Sequence, residues 1–123
     1  MLPFHYGIDP LALDTVFELL RRQRPSNIDR AAPQVQASRE RVDAIVAAGR
    51  AVYGINTGFG PLCETRVSAE QTHRLQENLL LTHAVGVGAP IRPELSKLML
   101  ICKLHALCQG YSGVRWAVVE RIH

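Results

Sequence analysis

The sequence has few of the features that mark membrane, secreted and metal-binding proteins. Its apolar runs are short, such as Leu98–Cys102, whereas a membrane-spanning helix needs about 20 apolar residues in succession. The three cysteines, Cys63, Cys102 and Cys108, include no Cys-x-x-Cys pair, which favours buried, reduced thiols over a disulfide framework or a zinc site. The N-terminal residues lack the basic flank and apolar stretch of a secretory signal. We therefore predict a cytoplasmic protein that binds neither a membrane nor a metal ion.

The size and charge of the chain exclude further classes. Its 123 residues have room for one domain and one modest core, and no boundary inside 1–123 is predicted. The net charge is +3, and Arg21, Arg22 and Arg24 cluster near the expected end of the first helix. Cations at that position offset the partial negative charge of the last helical carbonyls. Since no aromatic residues lie among them to stack on bases, nucleic-acid binding is not predicted.

The apolar residues recur mostly at helical spacing, which predicts a mainly α fold. Pro93-Glu94 has the form of a helix start, whereas Gly49 and Gly110 are placed as stop signals. Ser68 begins a capping-box sequence. The expected helices run from Asp9 to Arg24, from about Pro33 to Ala48, from Ser68 to His83 or Ala84, from Pro93 to Gly110, and from Ser112 to the last residues.

The fourth expected helix is apolar on nearly every side rather than along a single stripe. Such a helix needs neighbours all around it, and the other expected helices are too few and too short to surround it. The sequence therefore predicts that the chain is one part of a larger helical assembly, or a subunit that packs this helix against copies of itself. The apolar residues of the helix are Leu95, Leu98, Met99, Leu100, Ile101, Cys102, Leu104, Leu107 and Cys108.

The segment Tyr53–Gly60 is an irregular loop that indicates a functional site. It reads Tyr-Gly-Ile-Asn-Thr-Gly-Phe-Gly, and glycine adopts backbone conformations that are closed to other residues and lets a ligand approach closely. No Lys-Ser or Lys-Thr pair follows, and the loop does not open directly into a helix, so phosphate binding is not predicted. Tyr53, at the entrance of the loop, is therefore a candidate for a chemical role.

His83 lies on the third expected helix, at helical spacing from Leu75 and Leu79. This spacing places its imidazole on the apolar stripe, facing inward, where a lone histidine is more often a hydrogen-bonded core residue than a ligand. His105, within the apolar fourth helix, is also predicted to be a core residue. Tyr53 and His83 both adjoin glycine-rich turns, which makes them candidates for one shared pocket. The sequence contains neither a His-Glu-x-x-His nor a Gly-x-Ser-x-Gly motif, which argues against a zinc or serine hydrolase.

Three blocks of the sequence resemble the N-terminal part of the histidine ammonia-lyases. The first is Tyr53–Gly60, which is highly specific. The second joins Leu75–Leu79 with Thr82–Gly88, and the third is Tyr111–Arg115; both are supportive. The blocks occur in the order found in that family, and the likeness extends from about Tyr6 to the last residue.

The resemblance implies a fold, an activity and a set of site residues. The expected fold is the N-terminal helical portion of the ammonia-lyase fold, with an irregular, glycine-rich active-site loop. The implied activity is removal of ammonia from L-histidine to give trans-urocanate, in a homotetramer whose active sites are shared among subunits. By the same resemblance, Tyr53 acts as base on the β-proton of the substrate, His83 contacts the substrate side chain, and Gly60 lines the same pocket.

The resemblance also implies a cofactor that these residues do not supply. Family members use a methylidene-imidazolone electrophile, which forms by cyclisation of an internal Ala-Ser-Gly triplet. The triplet is absent from the 123 residues, because Ala37-Ser38 is followed by Arg39 and Ser112-Gly113 is preceded by a tyrosine. We therefore expect the isolated chain to be inactive.

Two alternatives stay open from the sequence. One is a related tyrosine or phenylalanine ammonia-lyase or an aminomutase. Tyrosine lyases tend to have a His-Leu pair where this chain has Thr82-His83, which favours histidine as substrate, although some aminomutases share the Ser/Thr-His pattern. The other alternative is a truncated, non-catalytic interaction module, which the missing triplet favours.

Overall fold

The computed structural model describes residues 1–57 and 69–123. Within these residues the secondary structure is mainly helical, which confirms the predicted fold class. The helices are α1 (Leu13–Leu20), α2 (Ala32–Ala48), α3 (Ala69–His83), α4 (Pro93–Cys108) and α5 (Trp116–Ile122). The remaining regular elements of the described residues are two short strands, β1 (Phe4–His5) and β2 (Ser26–Asn27), and a 3-10 turn at Asp29–Ala31.

Helices α2, α3 and α4 lie where the sequence predicts them. Gly49 and Gly110, the expected stop signals, have left-handed φ values of 65° and 77°, which glycine adopts without the steric cost of a Cβ atom. Pro93 occupies the first turn of α4, where its missing N–H group leaves no helical hydrogen bond unmade. Ser68, the predicted cap of α3, lies outside the described residues.

Helix α1 begins at Leu13, so the predicted helix start at Asp9-Pro10 is wrong. The Asp9 carboxylate accepts a hydrogen bond from the N–H group of His5 at 2.8 Å, and the Asp9 N–H group donates to the carbonyl of His5 at 3.0 Å. The aspartate therefore closes a turn with β1 instead of capping a helix. The helix then starts after Ala12, whose backbone is extended and which provides no side-chain cap.

Helix α5 begins at Trp116, so the predicted cap at Ser112 is also wrong. Gly113 has a left-handed φ of 60°, a conformation that a right-handed helix excludes. Its N–H group donates to Oγ of Ser38 in α2 at 3.0 Å. This long-range hydrogen bond holds the segment before α5 in an irregular conformation.

Strands β1 and β2 form a parallel pair, with Phe4 opposite Ser26 and His5 opposite Asn27. The N–H group of Tyr6 extends the pairing by donating to the carbonyl of Asn27 at 3.0 Å. Sequence analysis does not predict this pair, because strands of this length carry no alternating apolar pattern. The pairing fixes the N-terminal segment to the residues that follow α1.

The chain divides into two compact units. The first comprises Met1–Arg41 with Pro90–His123, and the second comprises Val42–Ala89. In the first unit, Phe4 and Tyr6 pack edge to face, with their ring centroids 5.1 Å apart. The buried apolar core of this unit consists of Phe4, Tyr6, Leu19, Ile28, Ala31, Val35, Ile101, Leu104, Leu107, Cys108 and Val119.

Helix α4 contributes only one face to this core. Elsewhere on this helix, Leu95, Met99 and Leu100 are 40%, 63% and 50% exposed. Although α4 is apolar on nearly every side, the described residues bury only part of its surface. The buried side chains of α4 are Ile101, Leu104, Leu107 and Cys108.

The cysteines differ in their surroundings. Cys108 is fully buried, and burial raises the pKa of its thiol to about 11. Cys102 is exposed, so the prediction of a buried thiol is wrong for this residue, because it lies on the face of α4 that the core does not cover. Cys63 lies outside the described residues.

His105 packs against the aromatic residues of the first unit, but it is half-buried and is not one of the buried core residues, so its predicted place in the core is not confirmed. Its ring centroid is 5.8 Å from that of Phe4, and its Nδ1 accepts a hydrogen bond from the N–H group of Gly7 at 3.2 Å. Burial lowers the pKa of this imidazole. The neutral form is therefore favoured in the folded state, and only that form leaves Nδ1 free to accept.

From the lowered pKa of His105 we predict that the folded chain loses stability in acid. Because the pKa of His105 is lower in the folded state than the value of about 6.5 expected when unfolded, the free energy of unfolding should decrease as the pH falls below about 6.5. Urea denaturation at pH 7.5 and at pH 5.5 measures this decrease. In His105→Gln, an amide oxygen can still accept from Gly7 but does not titrate, so its decrease should be smaller.

The two proteins differ only at residue 105, so the difference between the two decreases isolates His105. The Gly7 hydrogen bond itself is worth about 1 kcal/mol. Equal decreases in the two proteins would contradict the prediction.

Candidate active site

Tyr53 lies in a tight turn of the second unit. The N–H group of Ile55 donates to the carbonyl of Val52 at 3.1 Å, which closes a turn with Tyr53 and Gly54 at its centre. Gly54 has a φ of +77°, the value that a type II turn requires at its third position and that glycine adopts most readily. The side chain of Tyr53 is 65% exposed. The phenol is therefore presented on the surface of this unit and is not part of a packed core.

A buried asparagine braces the same turn. Oδ1 of Asn56 accepts from the N–H group of Val52 at 2.8 Å, and its Nδ2 donates to the carbonyl of Arg50 at 2.9 Å. The side chain of Asn56 is 9% exposed, and that of Thr57 is 4% exposed. Asn56 is not among the site residues that the sequence predicts. The signal available was an asparagine in a glycine-containing turn, where its short amide commonly bonds to nearby backbone.

His83 is the last residue of α3 and is exposed, so the prediction that it faces inward is wrong for this chain. Leu75 and Leu79, which share its stripe, are only partly buried. Helical spacing identifies residues on one face, but it does not establish that this face is covered within the chain. The described residues therefore leave the imidazole of His83 accessible to a ligand or to another part of the protein.

The hydrogen bonds of His83 fix its tautomer. Its Nδ1 lies 3.0 Å from the carbonyl oxygen of Leu79 and 3.0 Å from Oγ1 of Thr82. Since a carbonyl oxygen only accepts, we assign the proton to Nδ1. Oγ1 of Thr82 in turn donates to the carbonyl of Asn78 at 2.8 Å. In the neutral imidazole this assignment leaves Nε2 as the acceptor.

The structure places Tyr53 and His83 in the same unit, and among the described residues the imidazole of His83 is hydrogen bonded only within α3. Gly60, the third predicted site residue, lies outside the described residues. Tyr53 and His83 are both exposed. The described part of the second unit thus presents a phenol and an imidazole acceptor at its surface.

A lysine of α4 binds the last carbonyls of α1. Nζ of Lys97 donates to the carbonyls of Leu19 at 3.1 Å and Leu20 at 2.7 Å, so a lysine of α4 caps α1. Arg24, one of the three arginines predicted to offset the charge of these carbonyls, pairs with Glu18 at 3.3 Å. A cavity of about 590 Å³ in the first unit is lined partly by these cations.

Two further findings concern the described residues. They contain no group of three His, Cys, Asp or Glu side chains that could hold a metal ion. None of their helices is both long enough and apolar enough to cross a membrane.

The fold of the described residues matches a portion of known ammonia-lyase and aminomutase structures. A histidine ammonia-lyase from Trypanosoma cruzi superposes with a TM-score of 0.82 at 32% identity, covering 98% of this chain and 24% of that one. A tyrosine aminomutase from Streptomyces globisporus has the same fold, with a TM-score of 0.85 at 24% identity, covering 98% of this chain and 23% of that one.

Sequence comparison identifies the family. Residues 11–123 match the aromatic amino acid lyases, and the chain belongs to this family. The histidine ammonia-lyase of Streptococcus gordonii is 42% identical over 113 residues, which are 91% of this chain and 22% of that protein. The chain thus spans about a fifth of the length of this relative, and the matched part is the N-terminal part.

The 123 residues lack the Ala-Ser-Gly segment from which the electrophile of the family forms. Ser38 follows Ala37, as the triplet requires, but it lies inside helix α2 and its Oγ accepts the N–H group of Gly113. Arg39 stands where the glycine is needed. Neither this serine nor the one at position 112 is therefore in an Ala-Ser-Gly segment that could cyclise.

Proposed function

We propose that this chain forms the N-terminal part of a histidine ammonia-lyase, which eliminates ammonia from L-histidine to give trans-urocanate. The observation that carries the proposal is the similarity to histidine ammonia-lyases along nearly the whole chain, in which Tyr53 and His83 fall within the two blocks that resemble the active-site segments. The Thr82-His83 pair supports histidine as the substrate. Gly60 is proposed to line the same pocket.

In this proposal Tyr53 removes the β-proton of the substrate. A general base must reach the proton it abstracts, and an exposed phenol on a hydrogen-bonded turn meets this requirement better than a ring packed in a core. A rigid turn also limits the directions that the phenol oxygen can take, which lowers the entropic cost of alignment with the substrate.

His83 is proposed to recognise the substrate side chain. Because Nδ1 is held by the carbonyl of Leu79, Nε2 is available to accept a hydrogen bond from the imidazole N–H group of L-histidine. The phenol of tyrosine lacks such a ring N–H group. The phenol O–H of tyrosine can also donate, but it lies farther from the Cα atom than the imidazole N–H group of histidine does. An acceptor placed at the distance for histidine therefore favours that substrate.

The remaining catalytic parts are proposed to come from residues outside this chain. The electrophile that captures the substrate amine in the family cannot form from these 123 residues, so we expect the isolated chain to produce no urocanate. We also propose that the complete enzyme is a homotetramer, in which the exposed apolar face of α4 is covered by other residues of the assembly.

The test is an assay of the complete gene product that contains these residues, with L-histidine and L-tyrosine as separate substrates. We expect an increase in urocanate absorbance with histidine and little coumarate absorbance with tyrosine. Reading the coding DNA beyond codon 123 should also reveal an Ala-Ser-Gly triplet.

The isolated 123-residue chain is the matched control, and we expect no product from it with either substrate. Coumarate as the sole product would replace the proposal with a tyrosine lyase. Inactivity of the complete gene product towards both amino acids would favour a non-catalytic interaction module.

A further inference from the structure

The buried amide of Asn56 controls the backbone from which Tyr53 projects. Its oxygen is bonded to the N–H group of Val52 and its nitrogen to the carbonyl of Arg50, so both polar ends of the amide are satisfied by backbone. The side chain of Asn56 is 9% exposed, whereas that of Tyr53 is 65% exposed. The turn therefore combines a buried, hydrogen-bonded amide with a phenol that faces solvent.

Val52, the residue before Tyr53, is held at both of its backbone polar groups. Its N–H group is bonded to Oδ1 of Asn56. Its carbonyl accepts the N–H groups of Ile55 at 3.1 Å and Asn56 at 3.3 Å. The Val52 carbonyl belongs to the planar peptide group that leads into Tyr53, so this plane cannot rotate without breaking these hydrogen bonds.

Among the described residues, no packing contact constrains the turn at Gly54. A Cβ atom built on Gly54 would meet no heavy atom of residues 1–57 and 69–123 within 4 Å, so the side chains of these residues do not enforce the left-handed conformation there. The shape of the turn then depends on its hydrogen bonds, and residue 56 contributes three of them through its side chain and its N–H group.

We propose that Asn56 is a positioning residue that fixes the direction of the Tyr53 phenol for proton abstraction. This inference rests on the proposed function, because it takes Tyr53 as the base. Misplacement of a reacting group by about 1 Å can lower a rate by about 100-fold. Removing the amide in Asn56→Ala should therefore lower kcat by about 10- to 100-fold and change KM for histidine much less, since Asn56 is buried and in this proposal acts only through Tyr53.

Asn27 offers a matched control in the first unit. Its Oδ1 accepts the N–H group of Asp29 at 2.7 Å, and its Nδ2 donates to Oδ2 of Asp29 at 2.8 Å. Asn27→Ala thus removes a comparable turn-closing amide that does not hold the segment around Tyr53. Thermal denaturation should show that both variants are folded, and kcat should fall only for the variant at position 56.

The experiment is a double-mutant cycle in the complete gene product, with Tyr53→Phe, Asn56→Ala and the double variant. If Asn56 acts through the phenol, Asn56→Ala should have little further effect on kcat once the hydroxyl is absent. Asn56→Asp keeps an acceptor for Val52 but loses the donor to Arg50, and we expect an intermediate kcat. This variant keeps the test decisive if Asn56→Ala does not fold.

The outcomes separate the two claims. Wild-type turnover in the position-56 variants, with Tyr53→Phe impaired, would overturn the positioning role and leave the proposed function intact. Equal losses from Asn56→Ala in the wild-type and Tyr53→Phe backgrounds would also overturn it, since the amide would then act independently of the phenol. Wild-type turnover in Tyr53→Phe would overturn the role of Tyr53 and, with it, the positioning role.

Discussion

In the complete enzyme, Tyr53→Phe is expected to lower kcat for L-histidine by at least about 100-fold, the loss typical of removing a general acid or base. The substitution keeps the ring and removes only the oxygen that would take the β-proton. KM should change little if the hydroxyl acts mainly in the transition state. Steady-state measurement of urocanate formation gives both constants.

Tyr111→Phe is the matched control, because it removes the same hydroxyl from a side chain of the first unit that is 89% exposed. We expect this variant to retain wild-type turnover. A kcat of Tyr53→Phe close to that of the control would remove Tyr53 from the role of base.

The second large effect is expected for His83→Leu, which should lower kcat/KM for L-histidine by about 10- to 100-fold. A lost hydrogen bond to a buried polar group of a ligand costs about 1–3 kcal/mol, and that range corresponds to this loss. Tyrosine lyases tend to have leucine at this position. The ratio of kcat/KM for histidine to kcat/KM for tyrosine should therefore also fall. Parallel urocanate and coumarate assays measure that ratio.

His123→Leu is a suitable control, since this exposed histidine lies in the first unit and its Nε2 contacts Oγ of Ser26 at 3.1 Å. An unchanged specificity ratio in His83→Leu would contradict the role proposed for His83 in substrate recognition. A loss of activity towards both amino acids in equal proportion would indicate a structural role at the end of α3.

The parts of the fold that local sequence controls were predictable. Helices α2 and α4 have apolar residues at helical spacing. Gly49 follows the last residue of α2, Gly110 lies two residues after the last residue of α4, and both glycines have left-handed conformations. These signals act between residues that are close in the chain, so they can be recognised before any tertiary contact is known. The same is true of the turn after Val52, where Gly54 has the conformation that its loop sequence indicates.

The errors at helix ends have tertiary causes. Asp9 has the residue type of a helix cap, but its carboxylate bonds to the N–H group of His5. Ser112 also has the residue type of a helix cap, but the N–H group of the next residue, Gly113, donates to Oγ of Ser38 in α2. In each case, a hydrogen bond outside the helix competes with the cap, and the residue type alone does not show which partner wins.

The candidate site divides in the same way. The choice of Tyr53 and His83 as site residues came from the sequence and stays a prediction, while the exposure of His83 and the role of Leu79 in setting its tautomer came from the structure. The bracing amide of Asn56 was also visible only there. Side-chain direction and burial depend on neighbours that the local pattern does not identify.

The sequence by itself determined that this protein is mainly helical, where α2, α3 and α4 lie, and which residues resemble those of the lyase family. Only the tertiary structure decided the pairing of β1 with β2, the face of α4 that enters the core, and the starts of α1 and α5. The physical reason is range: helix propensity and glycine stops act over a few neighbouring residues. Strand pairing, burial and competition for hydrogen bonds are settled by groups that are far apart in the chain and meet only on folding.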